Sequence, residues 1–247
     1  MSTHVPAIAV ILARAGSRGL PMKNHLPVAG RPCVSWTIDH ARACGHVSRI
    51  GVSTDDQTVA KIASDANVEF WPRDAEDATP TARIDAAARS ALVQADRSGD
   101  IPTQSAIVLL YANVPVRPAN LIDRALALFL SSNCDSVQSY ADVGKHHPTW
   151  TTRVAPDGVV RPWEGEQLFG GVYRRQNLEP AFVPDGGVIV VRRSCLDAAA
   201  SEPGNPHAFL GTDHRGITTG PGEVIDIDNA VDRAVADAML RESIERR

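Results

Sequence analysis

The sequence predicts an α/β fold, a mostly parallel sheet with helices on both faces and a small β-rich insertion. Three observations carry that expectation. Ala7–Ala13 is an unbroken apolar run of strand length, the pattern of a strand covered on both faces. Segments with helical spacing alternate with short apolar segments as far as Leu130, which suits right-handed crossovers between parallel strands. From Tyr140 to Pro184 that alternation gives way to Pro, Gly and Trp, and it returns at Gly186.

A glycine-containing turn follows the first strand. Arg31 to Cys44 then reads as a helix: Pro32 suits a first turn, Val34, Ile38 and Ala41 recur at helical spacing, and Gly45 ends the pattern. RIGVST, Arg49 to Thr54, is a second strand. Asp55 and Asp56 start a helix with Val59, Ile62 and Ala63 on one face, and Val68 to Phe70 is a short third strand. Ile84 to Ala95 is an alanine-rich helix, Ala106 to Tyr111 an apolar strand, and Ala119 to Leu130 an amphipathic helix. Short pieces such as TWTTRV and GVVRPW fill the insertion. GGVIVV, Gly186 to Val191, is a strand, followed by a short helix and a polar loop. The closing GEVIDIDNAVDRAVADAMLRES reads as strand then helix, with Asn229 as the N-cap.

A chain of 247 residues fits one domain, 1–247, with 140–184 as an inserted lobe. With 43% hydrophobic and 22% charged residues there is material for a core. A net charge of −4, with both signs interspersed, excludes the one-signed surface that grips a nucleic acid polymer or an anionic membrane. Cys33, Cys44, Cys134 and Cys195 lack CxxC spacing, which predicts free thiols in a reducing compartment and no metal site on sulfur. The N-terminal apolar stretch lacks a basic leader and is interrupted by Arg14, so it reads as a buried strand, and the expected location is the cytoplasm.

Two segments carry chemistry. ARAGSRGLPMKN, Ala13 to Asn24, sets Arg14 and Lys23 around Gly16, Ser17 and Gly19 directly after a strand. Ligands of open α/β sheets bind at the carboxyl ends of strands, and a glycine turn there lets backbone N–H groups approach a phosphate that cations neutralise. The segment is neither a Walker A loop nor a GxGxxG turn, and Ser17 lacks the GxSxG setting of a nucleophile. In VIDIDN, alternation puts Asp226 and Asp228 on one face, and a divalent cation relieves their repulsion. Oxygen-only donors near phosphate suit Mg2+. His146, His147, His207 and His214 show no metal-ligand spacing.

Together these residues resemble the CMP-sialic acid synthetases, the acylneuraminate cytidylyltransferases. ILARAGSRGLPMKN is similar to their N-terminal nucleotide motif, IDID to their metal aspartates, LLYANVPVRPANL to their LLQPTSPLR segment, and RRQNLEPAFVPDGGVIVV to the region leading into the next strand. The resemblance implies a Rossmann-like sheet, and a lobe at 140–184 that forms a homodimer and helps to shape the acceptor site. It implies CTP held by Arg14, Gly16, Ser17, Gly19, Lys23, Asn24, Arg73 and Thr81, and an acidic sugar near Tyr111, Arg175, Gln176 and Asp185. It implies Mg2+ on Asp226 and Asp228, with Lys23, Arg175 and both aspartates as the catalytic set. Lys145 is a candidate to reach a partner's sugar pocket.

Two departures fall on the sugar side. Tyr111 stands where the family has a glutamine, and Asp185 where it has an asparagine; Arg83 stands near a position of the family's Ser/Thr cluster. The expected reaction joins CMP to the anomeric hydroxyl of a nonulosonic sugar with release of pyrophosphate. The alternatives are another acceptor such as Kdo, or a nucleotide-binding module without catalysis.

Overall fold

The computed structural model describes residues 7–17, 19–97 and 99–246, so Arg18 of the basic turn lies outside the described residues. The chain opens with β1 (Ala7–Leu12), the short pair β2 (Pro27–Val28) and β3 (Arg31–Pro32), α1 (Cys33–Ala43), β4 (Val47–Thr54), α2 (Gln57–Asp65) and β5 (Glu69–Pro72). It continues with α3 (Ile84–Ala95), β6 (Ala106–Tyr111), α4 (Leu121–Ser132), β7 (Ser136–Asp142), and a hairpin of β8 (Thr152–Val154) and β9 (Val160–Pro162). It closes with β10 (Phe182–Arg192), α5 (Arg193–Ala198), β11 (His214–Thr219) and α6 (Ala230–Glu245).

Seven strands form the central sheet in the order β11, β7, β10, β6, β1, β4, β5. Only β10 runs against the others, pairing antiparallel with β6 and β7. The period of two along each strand builds the core. Ala7, Ala9 and Ile11 of β1 face α1, α2 and α4 through Val34, Ile38, Val59 and Leu126. Ile8, Val10 and Leu12 face α3 and α5 through Ala88, Ala91, Leu92 and Leu196. A third cluster seats α6, through Ala236 and Leu240, on Val28, Cys33 and Ile227. Caps fix two helix starts: Asp56 accepts from the N–H groups of Thr58 and Val59, and Asn229 forms a capping box with Asp232.

The VIDIDN segment, expected as a strand, is not part of the sheet. Its one bridge joins Ile225 to Val116, and the N–H groups of Ile225 and Ile227 reach Val116 O at 3.3 Å and Asn113 O at 2.9 Å. It lies extended along the loop after β6, so its alternation survives without a ladder. Strands β7 and β11 escape the apolar pattern because they bury polar groups that are satisfied locally: Ser136 Oγ lies 2.7 Å from His214 Nδ1, and Tyr140 Oη lies 2.7 Å from His214 Nε2.

Between β7 and β10 the β structure is the β8–β9 hairpin, joined to short 3-10 turns. Contacts inside the insertion hold it together. His147 Nε2 lies 2.9 Å from Glu179 O, Trp150 Nε1 donates to Val172 O at 2.8 Å, and the Arg153 guanidinium lies 4.5 Å from the Trp163 ring centroid. No helix of the described residues is long and apolar enough to cross a membrane.

Candidate active site

The carboxyl ends of β1, β5 and β6 converge on a cavity of about 230 Å³. Its wall includes Arg14, Ser17, Lys23, Asn24, Arg73 and, from the opposite end of the sequence, Asp226 and Asp228.

The basic turn is held by its neighbours. Asp55 Oδ1 accepts from Ala15 N at 2.7 Å, Asn24 Nδ2 donates to Arg14 O at 2.9 Å, and Arg14 Nη1 donates to Thr79 O at 3.3 Å. Asn24 therefore shapes the turn with its amide nitrogen, while its Oδ1 is buried with no partner among the described residues. Gly19 answers a steric demand: a Cβ there would stand 2.4 Å from the Asp228 carbonyl oxygen. Only a residue without a side chain lets the turn approach the acidic segment so closely.

Across that contact Lys23 Nζ donates to Asp228 Oδ1 at 2.7 Å. Asp226 sits deeper, with Oδ1 accepting from Asn113 Nδ2, whose amide also donates to Ile227 O at 3.1 Å. Burial, and then the charge of Asp228, push the Asp226 carboxyl up to about 6. Tyr111 is pushed up to about 12 by burial and by Asp226, and stays a neutral phenol. Arg73 is buried, donating from Nη2 to Ser53 O at 3.2 Å, and burial draws its guanidinium below the usual arginine value.

Arg117 and Asn113 support the site without a signal of their own in the sequence, and Arg83 stands out there only near the position of the Ser/Thr cluster. Arg117 is buried and donates to Gly187 O at 2.6 Å, Tyr111 O at 2.9 Å, Thr37 Oγ1 at 2.9 Å and Val114 O, tying the loop after β6 to β10. Arg83 lines the cavity and grips buried Asp85 with two bonds of 2.9 Å, while its other donors reach Pro203 O and Asn205 O. Asn113 carries no distinguishing pattern inside YANVPVR. Its importance appears only once VIDIDN folds back onto that loop.

Not every expected residue reaches the cavity. Thr81 is exposed, and Ala82 and Arg83 line the wall in its place. Gly16 is exposed beside the wall rather than in it. Arg175 and Gln176 are exposed on a 3-10 turn of the insertion, outside the cavity of this chain. Asp185 is turned inward: it accepts from Ser139 Oγ, from Thr219 Oγ1 at 2.7 Å and from Gly187 N at 2.8 Å. Its neighbour Gly186 stands beside the site instead, at φ +75°, where a Cβ would lie 3.5 Å from Asp226 Oδ2 and 3.6 Å from the Tyr111 ring.

Residues 8–155, more than half of the chain, match the sequence profile of the family described as cytidylyltransferase. The chain belongs to the cytidylyltransferase family. It is 31% identical over 185 residues to an N-acylneuraminate cytidylyltransferase of Streptococcus agalactiae serotype V, covering 74% of this chain and 42% of that protein. The chain thus spans about two fifths of the length of that relative. It is 27% identical over 235 residues to the CMP-N,N'-diacetyllegionaminic acid synthase of Legionella pneumophila, covering 94% of this chain and 95% of that one. Among solved structures, a CMP:2-keto-3-deoxy-manno-octonic acid synthetase complexed with CTP superposes with a TM-score of 0.70 at 15% identity, covering 96% of this chain and 99% of that one. At that identity the likeness speaks for the fold of this cytidylyltransferase-family chain, a largely parallel α/β sheet.

Proposed function

We propose that this chain transfers CMP from CTP to the anomeric hydroxyl of a nonulosonic acid, releasing pyrophosphate. The observation that carries the reading is the convergence of Arg14, Lys23 and Arg73 with Asp226 and Asp228 on one cavity. Those three cations and two carboxylates, with Arg83 and Asp77 on the same wall, suit a polyphosphate and the cation that accompanies it.

Asp226 and Asp228 offer hard oxygen donors side by side, the set that Mg2+ takes beside phosphate oxygens. Bound there, the ion would supply Lewis-acid neutralisation of phosphate charge. The remaining work falls to the chain. Asn113 holds Asp226 in orientation. Arg14 and Lys23 balance the charge that builds on pyrophosphate as the anomeric oxygen bonds to the α-phosphorus and the bond to the bridging oxygen breaks. Ser17 and the bare Gly19 backbone leave room for the triphosphate beside the turn, Asn24 sets the turn's shape, and Arg73 and the segment around Thr81 flank the nucleoside. Such transfer needs alignment more than covalent help.

Tyr111 and the Gly186 turn after Asp185 form the acceptor side. The Legionella relative matches this chain nearly end to end, so a diacetamido nonulosonic acid is the first acceptor to assay, with Kdo as the alternative. The insertion exposes Val160, Trp163, Leu168, Phe169, Tyr173 and Phe182, an apolar surface that suits a second copy of the chain. In that homodimer Lys145, Arg175 and Gln176 would serve the partner's acceptor pocket, and a monomer at micromolar concentration by light scattering would refute it. Free thiols, at Cys33, Cys44, Cys134 and Cys195, suit a reducing compartment such as the cytoplasm.

A pyrophosphate-release assay crossing four nucleoside triphosphates with sialic, diacetyllegionaminic and Kdo acceptors tests the reading. Release is expected with CTP and a nonulosonic acid. Release only with Kdo reassigns the acceptor; CTP binding with no release on any acceptor marks a binding module and overturns the activity.

A further inference from the structure

Outside the cavity, three donor atoms of different chemistry meet where β4 begins. Cys44 caps the end of α1, His46 lies in the link to β4, and Asp123 sits in the first turn of α4. Cys44 Sγ is 3.1 Å from Asp123 Oδ1, and His46 Nδ1 is 3.5 Å from the same oxygen. All three donor atoms lie within 4.8 Å of one another. Tetrahedral zinc, with Zn–S of about 2.3 Å and Zn–N and Zn–O of about 2.0 Å, sets such ligands about 3.3–3.6 Å apart. The two separations to Asp123 need only a few tenths of an ångström of adjustment, and Cys44 and His46 lie within 4.8 Å of each other.

Burial, and Asp123 beside it, push the Cys44 thiol up to about 11, while the backbone N–H groups of His46 and Val47 bond to the sulfur in the sense that favours thiolate. The thiol is buried, whereas His46 and Asp123 are partly open to solvent, which leaves an entry path.

We propose that Cys44, His46 and Asp123 bind one zinc ion, with water as the fourth ligand. As the Zn–S bond forms, the thiol proton leaves to solvent and nothing is oxidised or reduced. The ion would staple the α1–β4 link to α4, two segments that the sequence separates by 79 positions. The sequence expectation against sulfur ligation rested on the absence of CxxC spacing, which a Cys-x-His pair completed by a distant aspartate evades. The site shares no residue with the cavity, so it stands or falls apart from the proposed transfer reaction.

Cobalt titration of the full, chelator-treated chain tests it. One equivalent should give visible bands of a tetrahedral site and a near-ultraviolet thiolate-to-cobalt band, both erased by zinc. Cys44→Ser should lose the thiolate band, while His46→Ala and Asp123→Asn, at partly exposed positions, should each weaken zinc affinity at least about tenfold. No thiolate band, or a band that survives Cys44→Ser, overturns the proposal. If Cys44→Ser does not fold, unchanged zinc affinity in both other variants overturns it equally.

Discussion

Lys23 Nζ lies 2.7 Å from Asp228 Oδ1, joining two residues 205 positions apart in the sequence. Asp228 is largely open to solvent, so the pair contributes little to folding stability. Its consequence lies in binding: the proposed phosphate contact and the proposed metal ligand neutralise each other until ligands arrive. A cation on Asp228 frees Lys23 for the triphosphate, so CTP and a divalent ion should bind with positive coupling of about tenfold, or about 1.4 kcal/mol. In calorimetry Asp228→Asn should tighten metal-free CTP binding and abolish the metal's enhancement. Weaker metal-free binding in that variant would contradict the coupling. Lys23→Met should lower kcat roughly a hundredfold, about 3 kcal/mol of transition-state stabilisation, with Tm little changed.

Asp226 gives the site a pH dependence whose sign is fixed. Its folded value of about 6 exceeds the unfolded aspartate value of about 3.9, so the folded chain keeps a proton that the unfolded chain has released. That contribution to stability is present below the unfolded value and is lost as pH rises through about 6. Without metal, Tm should therefore fall more steeply across this window in the native chain than in Asp226→Asn. Added Mg2+ should stabilise more at about pH 7 than at about pH 5, because the ion competes with that proton. Parallel Tm profiles for the two proteins would remove Asp226 as the titrating group.

Gly19 and Gly16 occupy one turn and make opposite predictions. A Cβ on Gly19 would collide with the Asp228 carbonyl, whereas one on Gly16 meets nothing closer than Ala78 O at 3.9 Å. Gly19→Ala should push the basic turn off the acidic segment and weaken CTP binding at least about tenfold, yet shift Tm little because the position is outside the core. Gly16→Ala should bind CTP like the native chain. Equal affinities in both variants would show that the close approach does not matter.

Where apolar periodicity decided the fold, the sequence was readable: α3 and β6 fall on the expected bounds, and β1 within one residue. Where polar groups are satisfied by distant partners, it was not. Buried Ser136 and Ser139 hide β7, and VIDIDN alternates like a strand while bonding to a loop. The cavity shows the same division. Lys23 and Asp226 were visible as local charge patterns, but Asn113, Arg117 and Asp55 act through atoms that only the folded chain brings near.

Asp185 tests whether the departures on the sugar side change the substrate or only the scaffold. Both carboxylate oxygens are engaged inside the protein, by Ser139, Thr219 and the Gly187 N–H, at the register break of β10. Gly186, one residue on, faces Asp226 and Tyr111. Asp185 thus shapes the turn that faces the proposed acceptor site without lining it. Asp185→Asn keeps one acceptor for Gly187 N, and the Thr219 hydroxyl can rotate to accept from the new amide, so Tm should move by only a few degrees. Acceptor KM should stay within about threefold. Tyr111→Gln, which changes a side chain on the cavity wall, should instead shift KM among acceptors by about tenfold or more while leaving CTP affinity intact. The reverse outcome, with Asp185→Asn changing acceptor preference and Tyr111→Gln silent, would place the sugar on the other side of the turn.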